Sequence, residues 1–157
     1  MILVVRALAF PRVAVLGQVG EEDDFRDLVR NPAARCIPGL IIYRFEAPVF
    51  FANASVFRSR LEALVSASPE AVNWVLVDAA ACVDTDVTAC DLFIELDQEL
   101  REKGVRLVIA EAIGPLREVL LRGGVTAKIG EDAIFPTIGV AVKAYRASFT
   151  LQDKRNQ

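Results

Sequence analysis

Two apolar runs separated by a helical stripe constrain the fold of this chain more than any other feature. The runs are WVLVD at residues 74–78 and VRLVIA at residues 105–110, and each carries apolar residues on both faces. Between them, Leu92, Phe93 and Leu96 recur at helical spacing. Strands that are apolar on both faces are typical of a parallel sheet covered by helices. The segment therefore predicts strand, helix and strand in succession, which is the pattern of an α/β domain.

The flanking segments extend this alternation. Turn signals at Gly17, Pro38 and Gly39 separate the apolar runs, and the polar residues between them predict a loop at 18–38. The further predicted strands are residues 13–16, 40–45, 49–51 and 126–129, and the further predicted helices begin after Asn53, Gly114 and Thr137. The order is strands first and then alternating strand and helix, which predicts a sheet that is mainly parallel in its later part.

Length and charge narrow the class of protein. The 157 residues fit one domain, and a content of 54% hydrophobic and 25% charged residues is enough to form a packed core. The formal net charge is −3, whereas surfaces that bind nucleic acids are basic. We therefore expect a folded domain with no nucleic-acid partner.

Histidine is absent from the chain, and cysteine is scarce. The absence of histidine removes the commonest general base, the Ser-His-Asp arrangement and most zinc sites, which argues against an enzyme. The three cysteines, Cys36, Cys82 and Cys90, are odd in number and lack Cys-x-x-Cys spacing. The sequence therefore predicts no disulfide framework, a cytosolic setting, and three thiols that are buried as small apolar groups.

The stretch VDTDVTACDLF, residues 83–93, joins the central apolar run to the helical stripe. Thr88 and Asp91 have the spacing of a capping box, which predicts that Thr88 caps the helix and that Asp91 binds back to it. A second interpretation treats the same hydroxyl as a phosphate acceptor, because a helix start offers free amides and a positive dipole end. A phosphate there would face Asp84 and Asp86, and the added like charge would weaken docking of an acidic partner or loosen the loop.

At this helix entrance the chain resembles the STAS domain, named for sulfate transporters and anti-sigma-factor antagonists. Residues 86–89, Asp-Val-Thr-Ala, resemble the Asp-x-Ser-Gly motif whose hydroxyl residue is phosphorylated in the antagonist branch, with Thr at the Ser place. Residues 12–17, 25–27, 32–40, 47–54 and 114–117 resemble the cytoplasmic end of SulP anion transporters, and the likeness runs from about residue 11 to residue 145. The Pro-Gly strand followed by Ala-Pro-Val-Phe-Phe-Ala-Asn is typical of the transporter branch.

The resemblance implies a STAS-type α/β fold, with a mixed, mainly parallel β-sheet and about four helices packed mostly on one side. It divides the chain into the end of a membrane segment or a connector at residues 1–10, a STAS domain at 11–149 and a polar C-terminal tail at 150–157. It implies a non-catalytic regulatory domain on the cytoplasmic face of the plasma (inner) membrane in a bacterial-type transporter. The implied partners are the transmembrane domain of the same transporter, a second copy of the chain and a cytosolic regulatory protein.

Two alternatives use the site formed by Asp84, Asp86 and Thr88. The first is a free-standing anti-sigma-factor antagonist that is switched by phosphorylation of Thr88. The second is nucleotide binding, since some STAS domains bind guanine nucleotides such as GTP, and ligands of open α/β sheets sit at the strand ends. None of these interpretations requires a cofactor or predicts a metal ion.

Overall fold

The computed structural model describes residues 11–21, 23–82 and 86–153, and within these ranges it contains six β-strands and five α-helices. The strands are β1 (Val13–Gln18), β2 (Phe25–Asp27), β3 (Leu40–Phe45), β4 (Trp74–Asp78), β5 (Arg106–Ala110) and β6 (Ile134–Phe135). The helices are α1 (Ala54–Ala67), α2 (Val87–Glu102), α3 (Pro115–Arg122), α4 (Val125–Ile129) and α5 (Ile138–Asp153). The predicted membrane end or connector at residues 1–10 lies outside the described residues.

The strands form a single sheet in the order β2-β1-β3-β4-β5-β6. β1 runs antiparallel to both β2 and β3, whereas β3, β4, β5 and β6 are mutually parallel. The central strand β4 is buried along its whole length, as its continuous apolar run predicts. The mixed, mainly parallel α/β sheet is therefore confirmed.

Aromatic side chains show which helices cover each face of the sheet. On one face, the Tyr43 ring lies 5.0 Å from Phe57 of α1, and Phe57 lies 5.8 Å from Phe93 of α2. Tyr43 is paired in register with Val77 of β4, so these two side chains lie on the same face. Successive side chains of a strand alternate between faces. Trp74 lies three residues before Val77 and therefore points to the other face. There its ring lies 5.4 Å from Tyr145 of α5. α3 and α4 pack against α2, so four helices share one side and α5 covers the other.

Two predicted strands are wrong. Residues 126–129 belong to α4, which follows Gly124 in the left-handed conformation and packs against α2 and α3. Residues 49–51 form no strand and lead into a turn at residues 51–53. The Asn53 side chain holds this segment, because its Oδ1 accepts from the Phe50 amide at 3.0 Å and its Nδ2 donates to the Pro48 carbonyl at 2.9 Å. Asn53 is the residue before α1, as predicted, but its side chain makes no capping hydrogen bond to that helix.

Two strands were not predicted. β2 lies within the predicted loop and is held as an edge strand by pairing with residues 16–18 of β1. β6 has two residues and pairs with the end of β5. Both are too short to produce a hydrophobic period in the sequence.

The predicted starts of α3 and α5 are confirmed. Pro115 occupies the start of α3 after Gly114, where its missing N–H costs no helical hydrogen bond. The Thr137 hydroxyl accepts from the Val140 amide at 3.2 Å at the start of α5. Within the described ranges, every helix is too short or too polar to cross a bilayer.

Candidate functional site

The site predicted from the sequence lies at the carboxyl edge of the parallel strands. β4 ends at Asp78 and α2 begins at Val87, so the entrance of α2 is at this edge. The carboxyl ends of β3 and β5 lie at the same edge, because both strands are parallel to β4. β1 is antiparallel to β3 and pairs Val13 with Phe45, so the chain also enters the sheet here. The helix entrance and the entry point of the domain therefore share one edge.

Asp86, not Thr88, caps α2. The Asp86 backbone is extended (φ −98°, ψ −178°), and its carboxylate accepts from the Ala89 amide at 3.3 Å. Thr88 is the second residue of the helix, and Asp91 is exposed on the next turn. The predicted capping box is thus wrong. The helix begins two residues earlier because aspartate is as good an N-cap as threonine, and this start turns Ala89 into the core.

Thr88 is half-buried in the first turn of α2, two residues from the Asp86 carboxylate. Its hydroxyl makes no hydrogen bond within the part of the chain that the structure describes. The amides of a first helical turn lack intrahelical partners, so an oxyanion carried by Thr88 would meet both these amides and a like charge. Asp86 and Thr88 both lie at the entrance of α2, whereas Asp84 lies outside the described residues.

An ion pair joins the carboxyl ends of β3 and β4, next to the entrance of α2. The sequence analysis missed it. Arg44 Nε is 2.6 Å from Asp78 Oδ2, and the Asp78 side chain is fully buried. The other oxygen of Asp78 accepts from the Ala80 amide at 3.1 Å, and the Ala79 amide donates to the Ala110 carbonyl at 3.0 Å. These bonds fix the end of β4 from which the chain leads to α2. The signal in the sequence was a charged residue near the end of each of two apolar runs, since parallel pairing in register places the two charges side by side.

Three apolar side chains at the same edge are strongly exposed. Phe51, Val87 and Ile113 are 77%, 72% and 64% exposed, and they follow β3, β4 and β5 respectively. We call these three residues the edge patch. Exposed large apolar side chains at one edge of a domain are candidates for an interaction surface. The sequence analysis missed the patch because it counted apolar residues toward the core.

The loop after β5 contains a strained residue. Glu111 has φ +61°, a conformation that few residues other than glycine adopt. Its carboxylate accepts from the Ile138 amide at 3.1 Å, at the start of α5. This bond compensates for the backbone strain and ties the carboxyl edge to the helix on the opposite face.

The cysteines offer little chemistry at this edge. Burial raises the pKa of Cys82 to about 12, and the nearby Asp78 charge adds to the shift. Burial also raises the pKa of Cys90, with the Asp91 and Asp86 charges as smaller causes. Both thiols stay protonated at neutral pH and act as small apolar groups, as predicted. Cys36 is exposed, so the prediction of a third buried thiol is wrong. It lies in the loop before β3, which has little core of its own to enter.

Comparisons with known proteins agree with this architecture. A family model described as "STAS domain" matches residues 31–141. A "Probable sulfate transporter" of Mycobacterium tuberculosis is 39% identical over 141 residues, which is 90% of this chain and 25% of that protein. "Probable sulfate transporter 3.5" of Arabidopsis thaliana is 31% identical over 150 residues, which is 94% of this chain and 24% of that protein. The chain thus spans about a quarter of the length of these curated relatives.

Solved structures show the same fold. The murine Slc26a9 anion transporter in its inward-facing state matches with a TM-score of 0.84 and 21% identity, over 93% of this chain and 24% of that one. A SulP transporter STAS domain from Vibrio cholerae matches with a TM-score of 0.62 and 21% identity, over 79% of this chain and 94% of that one. The six-stranded sheet and its helices are therefore an arrangement that recurs in anion transporters.

Proposed function

The chain belongs to the STAS domain family, and from that premise we propose that it is the regulatory and interaction domain of a membrane sulfate or anion transporter. The observation that carries the proposal is the 39% identity over 90% of the chain to a probable sulfate transporter. Because the chain corresponds to a quarter of such a protein, the anion path would lie in the remaining part. The domain then acts by binding other parts of the assembly, without catalysis, on the cytoplasmic face of the membrane.

The carboxyl edge is the surface that suits this role best. The edge patch offers apolar contact area, and Val87 places one of its members directly beside Thr88. The chain enters the domain at the same edge, through Pro11 and Arg12. A partner attached upstream is therefore close to the patch without a long linker. We assign the edge patch to the transmembrane domain of the same transporter; a second copy and a cytosolic regulator are further candidate partners.

Phosphorylation at Thr88 would regulate this contact. The hydroxyl is half-buried at a helix start and is followed in the chain by the exposed Asp91. A phosphate adds nearly two negative charges at neutral pH, and Asp86 already places a carboxylate at the first turn. The accumulated charge would separate the edge patch from an apolar or acidic partner. The site formed by Asp84, Asp86 and Thr88 is also our candidate for binding GTP or another guanine nucleotide, which would act on the same contact.

A free-standing anti-sigma-factor antagonist is the alternative function, because it would use the same hydroxyl at the helix entrance. The identity to sulfate transporters favours the first proposal. A long hydrophobic coding region directly upstream in the gene is expected for the transporter domain. A gene without such a region would support the antagonist.

Anion uptake by the intact transporter tests the proposed function. We expect removal of this domain, or the double change Phe51→Ser and Ile113→Ser, to reduce uptake of labelled sulfate. The control is Leu121→Ser, which alters an equally exposed apolar side chain on α3 outside the patch. Membrane abundance of each variant is measured in parallel. Unchanged uptake without the domain, at equal abundance, would contradict the proposal.

A further inference from the structure

A groove separate from the edge patch lies between α1 and the β1–β2 part of the sheet. It encloses about 740 Å³ and is lined by apolar side chains of β1, the turn after β2, and α1. These side chains are Val13, Val15, Leu28, Val29, Ala63, Leu64 and Ala67. Val13 and Val15 remain partly exposed, although the alternate residues of β1 are buried. The face of β1 that points toward α1 is thus only partly covered within the described residues.

The turn after β2 directs one apolar side chain outward. The Asp27 carboxylate accepts from the Val29 amide at 2.9 Å, and the Leu28 amide donates to the Val15 carbonyl at 3.0 Å. These bonds turn Leu28 toward the groove and leave Val29 93% exposed. Val29 is the most exposed large apolar side chain among the described residues. It therefore projects from the mouth of the groove.

Three arginines surround the groove. Arg12 Nε is 3.8 Å from a Glu46 oxygen, and Arg30 Nε is 3.7 Å from an Asp27 oxygen, so both ion pairs are long and mostly exposed. Arg60 forms no ion pair with any described residue. The acids that pair with these arginines are Glu46 and Asp27, one fewer than the arginines. The rim therefore carries excess positive charge, although the chain as a whole has a formal charge of −3.

The groove lies beside the entry of the chain into the domain. The Arg12 carbonyl accepts from the Glu46 amide at 2.9 Å, which fixes Arg12 at the end of β3. Nine of the ten residues in the preceding sequence MILVVRALAF are apolar. If the domain is attached to a membrane protein, its point of attachment is next to Arg12. The arginine rim would then be among the first charged groups that the headgroups of the lipids meet.

We propose that this groove binds the headgroup of an acidic phospholipid at the bilayer surface. Arg12, Arg30 and Arg60 contact the phosphate and its charge, while Val29 lies among the uppermost acyl carbons. A helical protein partner would place its own apolar stripe on the apolar lining of the groove and would not engage the three arginines of the rim, whereas an anionic headgroup pairs with them. The inference rests on the proposed function only in placing the domain beside a bilayer, because lipid binding itself is a property of this chain.

Vesicle co-sedimentation of the 157-residue chain tests the proposal. One set of vesicles contains phosphatidylcholine alone, and the other contains equal parts of phosphatidylcholine and phosphatidylglycerol. We expect binding to the acidic vesicles to exceed binding to the neutral ones and to fall at high salt, which screens charge. Each arginine near an anionic surface contributes about fivefold to partitioning. The double variant Arg30→Gln and Arg60→Gln should therefore bind acidic vesicles about 25-fold more weakly.

A matched variant separates the groove from the total charge. Arg117→Gln with Arg122→Gln changes the net charge by the same amount on α3, which packs against α2 and not against the groove. It should bind acidic vesicles as the unaltered chain does. Val29→Asp should weaken binding to acidic vesicles while the domain keeps its fold, since its side chain touches little of the protein. Circular dichroism confirms the fold of each variant.

Three results would overturn the proposal. The first is equal binding to neutral and acidic vesicles, which would assign any affinity to the apolar sequence at residues 1–10. The second is an equal loss in the groove variant and the α3 variant, which would leave only total charge. The third is binding of an acidic amphipathic peptide in the groove without any preference for acidic vesicles, which would make the occupant a protein. Failure of the proposed function would appear separately, in the uptake experiment.

Discussion

Arg44 Nε lies 2.6 Å from Asp78 Oδ2, and this ion pair joins two neighbouring parallel strands directly under the entrance of α2. The Asp78 side chain is fully buried, whereas the Arg44 side chain is 36% exposed. A buried carboxylate is stable in its charged form only when it is paired and hydrogen-bonded. The guanidinium and the Ala80 amide supply those partners. The pair therefore sets the conformation of the edge that carries the candidate site.

Arg44→Met should destabilise the domain by about 2–3 kcal/mol, because it leaves Asp78 buried without its charge partner. The expected loss is smaller than for a wholly buried pair, since water reaches the Arg44 side. Urea unfolding followed by circular dichroism measures the change. Arg122→Met is the control, because its ion pair with Glu118 is 3.8 Å long and exposed, and it should change stability by less than about 0.5 kcal/mol. Equal effects of the two substitutions would show that the pair contributes little.

Asp86→Ala should destabilise the domain by about 1 kcal/mol, because it removes the carboxylate that accepts from the Ala89 amide at the start of α2. Thr88→Ala and Asp91→Ala should have smaller effects on the free energy of unfolding, since neither side chain caps the helix. Thermal and urea unfolding of the three variants distinguish the two caps. A larger loss of stability for Thr88→Ala than for Asp86→Ala would show that Thr88 caps the helix, as the sequence predicts.

The sequence predicts long elements of this fold and misses the short ones, for a physical reason. The runs that became β3, β4 and β5 are apolar because helices cover them, so their composition alone identifies them. β2 contains Phe25, Arg26 and Asp27, and it is a strand because β1 offers an edge to pair with. Residues 126–129 resemble a strand by composition, but contacts with α2 and α3 stabilise a helix instead. Such contacts between distant segments leave no local pattern.

In the candidate site, too, the sequence predicts the features that depend on local order and misses those that depend on contacts between distant segments. Its position at the helix entrance follows from local order, because a strand, a loop and a helix succeed one another there. The cap was assigned wrongly because Asp86 and Thr88 are both good N-cap residues, and burial of Ala89 and Cys90 decides between them. Arg44 and Asp78 are 34 residues apart, so their contact depends on the register of β3 against β4. The exposure of the edge patch likewise depends on the tertiary structure, because the sequence does not show which apolar residues remain outside the core.

Stability should fall as the pH rises above about 9, because burial raises the pKa of Cys82 to about 12 from an ordinary value of 9.0. Between these values the unfolded thiol loses its proton and the folded one keeps it, so the unfolded state is favoured by up to about 1.4 kcal/mol per pH unit. Burial shifts the pKa of Cys90 and of Tyr43 in the same direction. Urea unfolding at pH 8 and pH 10 measures the fall, and Cys82→Ala should make it smaller. An equal fall in that variant would rule out Cys82 as a cause.

Gly39→Ala should destabilise the domain by more than about 2 kcal/mol. Gly39 has φ +71°, and an added methyl group would meet the Asn73 amide and come within 2.5 Å of the Tyr145 hydroxyl. That hydroxyl donates to the Pro38 carbonyl at 2.7 Å and so holds α5 to the turn before β3. Gly20→Ala is the control, since Gly20 has φ +65° with open space around it, and it should cost about 1 kcal/mol from the backbone alone. Equal losses of stability in thermal unfolding would show that α5 accommodates the added methyl group at no cost in free energy.

Thr88→Glu should lower anion uptake by the intact transporter while changing the stability of the isolated domain by less than about 1 kcal/mol. The side chain lies in the first turn of α2, where a carboxylate suits the helix dipole and does not disturb the Asp86 cap. The added charge lies beside Val87 of the edge patch, so it acts on the contact with a partner and not on the core. Thr88→Ser keeps the hydroxyl and should transport normally, and Thr88→Ala should transport normally but no longer accept phosphate. Uptake of labelled sulfate at equal membrane abundance compares the four proteins. If Thr88→Glu transports as well as Thr88→Ser, added charge at this helix entrance does not regulate the transporter.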